Sequence, residues 1–273
     1  MKKNIILIII ILISILSTKH MILKEQIEDD KFSFYINIAK NIMPKLELLI
    51  EDEEAYTNIA KIELHFHKNR ALYGFSKFRQ DINKLETLSL FAEKYSGARA
   101  ILICKFLMGK IILNSYYSKD GQEILNNIIK NYPSTLEAKF SYLFLTSYLI
   151  NETEDPYERK KLLIEEKTFI ENFLKEAKDI DNNVKNNLYL KILQLIILKS
   201  ENDLFTPSLK ISLGMILEEF EDYDGAIKIY NEIIRDYPGT QSAKKAKILI
   251  NNIKTKEMLK NYNFQDEVWV INR

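Results

Sequence analysis

The stretch TPSLKISLGMILEEFEDYDGAIKIYNEIIRDYP, Thr206–Pro238, decides the fold of this chain. Thr206 and Pro207 are residue types preferred at the N-cap and at the first position of an α-helix. Pro238 cannot continue a helix and predicts the point where a second helix ends. Between them, the polar run Asp222–Gly225 is typical of a turn. The stretch therefore predicts two antiparallel helices joined by a short connection.

Small and large residues recur at defined positions within this hairpin. With Pro207 counted as position 1, the stretch has Leu213 and Gly214 at 7 and 8, Leu217 at 11, Ala226 at 20, Tyr230 at 24, Ile233 at 27 and Pro238 at 32. Gly214 and Ala226 allow the two helices to approach closely, while the larger residues fill the seam between them. This spacing resembles the tetratricopeptide repeat, a helix–turn–helix unit of about 34 residues.

A second stretch has the same pattern. With Leu102 as position 1, the same places are taken by Met108, Gly109, Ile112, Gly121, Leu125, Ile128 and Pro133. Pro133 and Pro238 lie 105 residues apart, about three lengths of such a repeat. After the first of these prolines, Ser134–Glu137 has the pattern of a capping box that begins the next helix.

The expected fold class is all-α, an α-solenoid of tetratricopeptide-like helical hairpins preceded by an N-terminal signal or anchor helix. Only 7 glycines and 5 prolines in 273 residues disfavour a β-rich or loop-rich fold. The predicted organisation is a signal peptide or membrane anchor at 1–23, an N-terminal helical region at 24–97, repeat-like and degenerate helices at 98–205, a C-terminal repeat with its capping helix at 206–260, and a tail at 261–273.

The N-terminus has the features of an export signal. Met1–Asn4 is a short basic head, and Ile5–Leu16 is apolar except for Ser14. As a helix this apolar run is roughly 18 Å long, short of the ~30 Å hydrocarbon core of a bilayer. A cleaved signal peptide and an uncleaved anchor are both compatible with it, and a buried core helix is the third alternative. No cysteine comes directly after this apolar run to accept a lipid, which excludes the lipoprotein route.

The residues predict no catalytic, cofactor or metal site. Glycine-rich phosphate loops and Gly-x-Ser-x-Gly elbows are absent from the sequence. His65 and His67 point about 200° apart on a helix and cannot share one metal ion. The single cysteine, Cys104, lies in an apolar run and is expected to be buried. A formal net charge of +1 without a basic cluster disfavours nucleic-acid binding.

The resemblance to the repeat family implies a concave surface formed by positions 2, 5, 9 and 12 of each unit. In this sequence those positions are Ile103, Phe106, Lys110, Leu113, Ser208, Ile211, Met215 and Glu218. We expect such a groove to bind an extended or helical peptide segment of a partner protein. The alternative for each residue is packing against a neighbouring helix.

The region Thr206–Ile253 looks like bacterial envelope tetratricopeptide proteins, including Tol–Pal-associated periplasmic proteins and accessory lipoproteins of the outer-membrane β-barrel assembly machinery. The resemblance implies a non-enzymatic scaffold, exported to the periplasm or anchored facing it, that binds another envelope protein. One alternative is a membrane-tethered structural protein that self-associates through the apolar segment Leu188–Leu198. Another is an enzyme with its site within Glu25–Tyr95. The tail Tyr262–Arg273 is expected to fold back on the last repeat or to be offered to a partner.

Overall fold

The computed structural model of the chain describes residues 24–69 and 77–261. The predicted signal or anchor at 1–23 and the tail from Tyr262 lie outside the described residues. The α-helices are α1 at 24–41, α2 Glu53–Asn69, α3 Lys77–Lys94, α4 Ile101–Leu113, α5 Ser118–Asn131, α6 Leu136–Glu152, α7 Pro156–Asn183, α8 Leu188–Leu198, α9 Phe205–Glu219, α10 Tyr223–Asp236 and α11 Gln241–Asn261.

The predicted all-α class is confirmed for the described part of the chain. The β-structure found there is one isolated parallel bridge between Ile50 and Ala98. Its backbone hydrogen bonds run from the Ile50 N–H to the Gly97 carbonyl at 2.9 Å and from the Arg99 N–H to the Ile50 carbonyl at 2.8 Å. A short 3₁₀ turn, Leu46–Leu48, precedes the bridge.

The chain divides into two compact units, Met1–Leu145 and Thr146–Arg273. In the first, α2, α3, α4 and α5 pack in sequence order. In the second, α9 packs against α7, α10 and α11. Each unit contains one helical hairpin of the kind that makes up an α-solenoid.

The hairpin α9–α10 has the predicted seam. Leu217, Ala226, Tyr230 and Ile233 are buried in one core, which continues into α11 through Ala243, Ala246, Ile250 and Ile253. Leu213 is also buried. Gly214 lies directly against the Tyr230 ring, and a Cβ atom at this position would overlap that ring. Close approach at Gly214 therefore allows a fully buried tyrosine to fill the space between the helices.

The hairpin α4–α5 repeats this arrangement with different side chains. A Cβ atom on Gly109 would lie 2.8 Å from Leu125 Cδ2, and one on Gly121 would collide with the backbone of Leu113. Gly109 and Leu125 occupy the places of Gly214 and Tyr230. The two stretches that share a sequence pattern thus share a mode of helix packing.

The connections after the two hairpins are also alike. The Thr135 hydroxyl donates to the Tyr132 carbonyl and accepts a bond from the Ala138 N–H. The Thr240 hydroxyl does the same with the Tyr237 carbonyl and the Ala243 N–H. The predicted capping box at Ser134–Glu137 was therefore placed one residue early, because Thr135 caps the helix. Glu137 is buried and pairs with Arg99 at 3.3 Å.

The ends of the helices in the C-terminal hairpin differ in detail from the prediction. Thr206 lies inside α9, which begins at Phe205. The N-terminus of α9 is capped by a residue from an earlier helix, because the Asp181 carboxylate accepts the N–H groups of Phe205 and Thr206 at 2.8 and 3.1 Å. Asp222 is the N-cap of α10 and accepts the Gly225 N–H at 2.9 Å. The connection is therefore Phe220–Asp222, two to three residues earlier than the predicted Asp222–Gly225.

Lys105 is a buried cation that the sequence pattern did not identify. Its side chain on α4 is 0% exposed, and its ammonium group donates to the Ile42 carbonyl after α1 and to Asn127 Oδ1 on α5 at 2.6 Å. Burial lowers the pKa of Lys105 to about 8. This side chain joins three segments of the N-terminal unit at the cost of desolvating a charge.

We expect Gly214→Ala to destabilise the C-terminal unit by about 1–3 kcal/mol, because the added methyl group must displace the Tyr230 ring. Urea unfolding followed by circular dichroism measures the change. Gly97→Ala is the control, since a Cβ atom there has nothing within 4 Å. Equal stability of both variants would show that α9 and α10 are not closely packed at this point.

We expect Lys105→Met to raise the free energy of unfolding at pH 7. Because the folded-state pKa of about 8 lies below the usual 10.5, burial of the charge costs most below pH 8, at up to ~3 kcal/mol. This cost disappears as the pH rises towards 10.5, so the advantage of the variant should shrink between pH 7 and pH 9.5. Urea unfolding at both pH values checks this, with exposed Lys130→Met as control. A less stable Lys105→Met at pH 7 would mean that the hydrogen bonds outweigh desolvation.

Candidate partner-binding groove

The predicted groove residues of the first hairpin are mostly covered. Ile103, Phe106 and Leu113 are buried. The ring of Phe106 contacts the Phe144 ring of α6 with centroids 5.6 Å apart, and the Lys110 ammonium lies 4.3 Å from the same ring centroid. Ile103, Phe106 and Leu113 do not lie on an open surface, because the face of α4 that carries them is used for packing.

The predicted residues of the second hairpin divide into two groups. Ile211 is buried and Ser208 is half-buried, and neither residue lines the groove that contains Met215. Met215 is 43% exposed, and it lines a groove of about 490 Å³ together with Glu218. The structure therefore brings two of the eight predicted residues together at one open site.

The groove is formed by helices of the C-terminal unit on either side of α9. Residues of α6, α7 and α11 line it with those of α9, among them Ser147, Ile150, Arg159, Leu163, Glu166, Leu249 and Lys256. Because α7 and α11 both pack against α9, they place these side chains beside Met215. Sequence reasoning missed them, since α6 and α7 lack the repeat spacing that marks α9.

Glu166 is the buried carboxylate of the groove. Glu166 is 6% exposed, and its carboxylate accepts a hydrogen bond from the Ser147 hydroxyl at 2.7 Å. Burial raises the pKa of Glu166, and the Ser147 hydrogen bond opposes this effect only in part. A carboxyl group with a raised pKa in a cleft is a common feature of functional sites.

The remaining charged groups of the groove are more accessible. Glu218 accepts a hydrogen bond from the Tyr230 hydroxyl at 2.7 Å, and burial together with this bond raises the pKa of Tyr230. Arg159 pairs with Glu219 at 3.0 Å. Altogether the lining contains four carboxylates, Glu166, Glu218, Glu219 and Glu221, and two cations, Arg159 and Lys256.

The described part of the chain does not assemble the residue types that metal or thiol chemistry would need. Within residues 24–69 and 77–261, no group of three His, Cys, Asp or Glu side chains could hold a metal ion. Cys104 is fully buried as predicted; its thiol donates to the Leu88 carbonyl at 3.2 Å. Burial raises the pKa of Cys104 far above its usual range, which disfavours the reactive thiolate.

The C-terminal hairpin also matches a known family. Residues 212–240 match the family model of the tetratricopeptide repeat. This match supports a tetratricopeptide-repeat protein. No curated protein and no solved structure is significantly similar to the chain. The repeat match covers the second half of α9, all of α10 and the Tyr237–Thr240 connection, so the groove residues Met215 and Glu218 are on the matched hairpin.

Two features of the described helices bear on membrane anchoring and on self-association. Among the described helices, none combines the length and the apolar character needed to cross a membrane. The apolar helix α8, considered above for self-association, uses Ile192, Leu193 and Ile196 for packing inside the chain, and Leu188 at its start is exposed.

We expect Glu166→Gln to stabilise the protein at pH 7. Because the pKa of Glu166 is raised in the folded state, the protonated acid stabilises the fold relative to the unfolded chain. This contribution to the free energy of unfolding is complete at low pH and is lost as the pH rises through the folded-state pKa. The variant should therefore gain in melting temperature over the natural chain at pH 7 and lose this gain at pH 4. Exposed Glu165→Gln is the matched control. A Glu166→Gln variant that is less stable at pH 7 would indicate a strongly stabilised carboxylate.

Proposed function

We propose that this protein is a non-enzymatic scaffold that binds a segment of another polypeptide in the groove between α6, α7, α9 and α11. Tetratricopeptide repeats generally mediate protein–protein interaction, and such proteins are typically scaffolds. The observation that supports this groove is Met215, an apolar side chain 43% exposed on the family-matched hairpin. An exposed methionine in a concave, partly apolar surface is typical of protein-binding sites.

The size of the groove indicates the kind of ligand. Its volume of about 490 Å³ accommodates a few side chains, in the range of sites that enclose a small ligand or peptide anchor residues. Leu163 and Ile216 form apolar parts of the lining, and Glu166 and Arg159 provide charged groups. A short helical or extended segment with anchoring side chains fits this mixture better than a flat protein surface.

The second part of the proposal concerns location. We propose that the chain acts in the bacterial cell envelope, exported or tethered through its N-terminus with the helical units facing the periplasm. The basic head Met1–Asn4 and the apolar run Ile5–Leu16 support this, since they have the order and length of an export signal. The resemblance of Thr206–Ile253 to envelope tetratricopeptide proteins points in the same direction.

Affinity co-purification from membranes of the native host tests the groove. Met215→Ser removes the exposed apolar side chain without adding a charge, so we expect it to reduce recovery of a specific partner at least tenfold. The matched control is Met258→Ser, because Met258 is an exposed methionine on α11 outside the groove. Circular dichroism confirms that both variants fold.

Recovery of the same partner with Met215→Ser would exclude this groove as the binding surface. Recovery of only further copies of the chain would replace the proposal with self-association. Sedimentation velocity distinguishes the two cases, because a groove-binding scaffold is monomeric in the absence of its partner.

A further inference from the structure

We infer that the segment bound in this groove is basic and presents a lysine or arginine side chain to Glu166. This inference rests on the proposed function and specifies the chemistry of the partner. It follows from the hydrogen bonding of Glu166, from the charges around it and from the apolar residues beside it.

Glu166 has few partners for a carboxylate that is 6% exposed. A carboxylate accepts about four hydrogen bonds, whereas within the described part of the chain Glu166 receives one, from the Ser147 hydroxyl. Asp181, a half-buried carboxylate near the end of the same helix, accepts two backbone N–H groups at the start of α9. Asp181 is thus explained by helix capping, and Glu166 retains acceptor capacity towards the groove.

The two cations of the groove do not neutralise Glu166. The Arg159 guanidinium is 3.0 Å from the Glu219 carboxylate, and among the described residues no lysine or arginine forms an ion pair with Glu166. Lys256 is exposed on α11. A buried charge without a counter-ion is costly, and a cation supplied by a partner offsets that cost.

The surrounding charges favour the same partner. The titratable and charged groups that line the groove with Glu166 are Arg159 on α7, Glu218 and Glu219 on α9, Glu221 in the following connection, Tyr223 on α10 and Lys256 on α11. Carboxylates outnumber cations four to two in this lining. An acidic segment would be repelled by this surface, and a basic segment attracted to it.

The apolar lining suits the stem of a long basic side chain. Met215, Leu163 and Ile216 border the same groove as Glu166. Lysine and arginine pack their methylene groups on apolar surface while the charged head reaches a polar partner. One bound side chain would therefore contact Met215 with its stem and Glu166 with its head. The exposed methionine and the under-paired carboxylate then serve the same interaction.

The test is selection of random twelve-residue peptides displayed on phage against the immobilised full chain. We expect enrichment of lysine or arginine at one position for the natural chain and for Glu165→Gln, which removes the same charge from an exposed neighbour. Glu166→Gln should lose this enrichment and bind the selected peptide at least tenfold more weakly in fluorescence anisotropy. With the natural chain, the peptide should bind more tightly as the pH rises from 5 to 8, whereas Glu166→Gln should show a smaller dependence.

Other outcomes separate this inference from the proposed function. Neutral or acidic peptides that bind the natural chain but not the Met215→Ser variant would overturn the basic-partner inference and leave the groove as a binding site. Basic peptides that bind Glu166→Gln and the natural chain equally would also overturn the inference. Absence of any enrichment, or peptides that bind Met215→Ser as well as the natural chain, would overturn the proposed function too.

Discussion

The close contact between Gly214 on α9 and the Tyr230 ring on α10 is the constraint on which the C-terminal unit depends. No side chain fits at position 214, so the two helices pack closely enough for the tyrosine to be fully buried. The buried ring directs its hydroxyl to Glu218 at 2.7 Å. One contact therefore determines the helix packing and also places a carboxylate at the edge of the groove.

Three charged side chains withdrawn from solvent differ in their internal hydrogen bonding. Half-buried Asp181 and buried Lys105 connect elements of the fold: Asp181 caps α9 from α7, and Lys105 binds the Ile42 carbonyl and Asn127. Their desolvation is offset by internal hydrogen bonds. Glu166 has one such bond and faces an open groove. The difference in internal hydrogen bonding is the physical reason to assign Glu166 to an intermolecular contact.

Prediction from the sequence succeeded where local spacing determines structure. The hairpin seam at Leu213, Leu217, Tyr230 and Ile233 was identified because small and large residues recur at the repeat positions, and these residues are buried. Prediction left open whether Phe106 is exposed or packed, and its ring packs against Phe144 of a helix without the repeat pattern. Prediction missed Arg159 and Glu166, because the spacing within α7 does not specify which neighbour α7 will contact.

The sequence by itself determined the helices, the two hairpins and their tight seams, since these depend on residues close together in the chain. Only the tertiary structure decided which face of each hairpin is covered. Residues at the predicted groove positions, Phe106 and Ile211 on one hand and Met215 on the other, differ in exposure because different helices pack beside them. The physical reason is that the exposure of a side chain depends on all its spatial neighbours, including those from distant segments such as α6, α7 and α11.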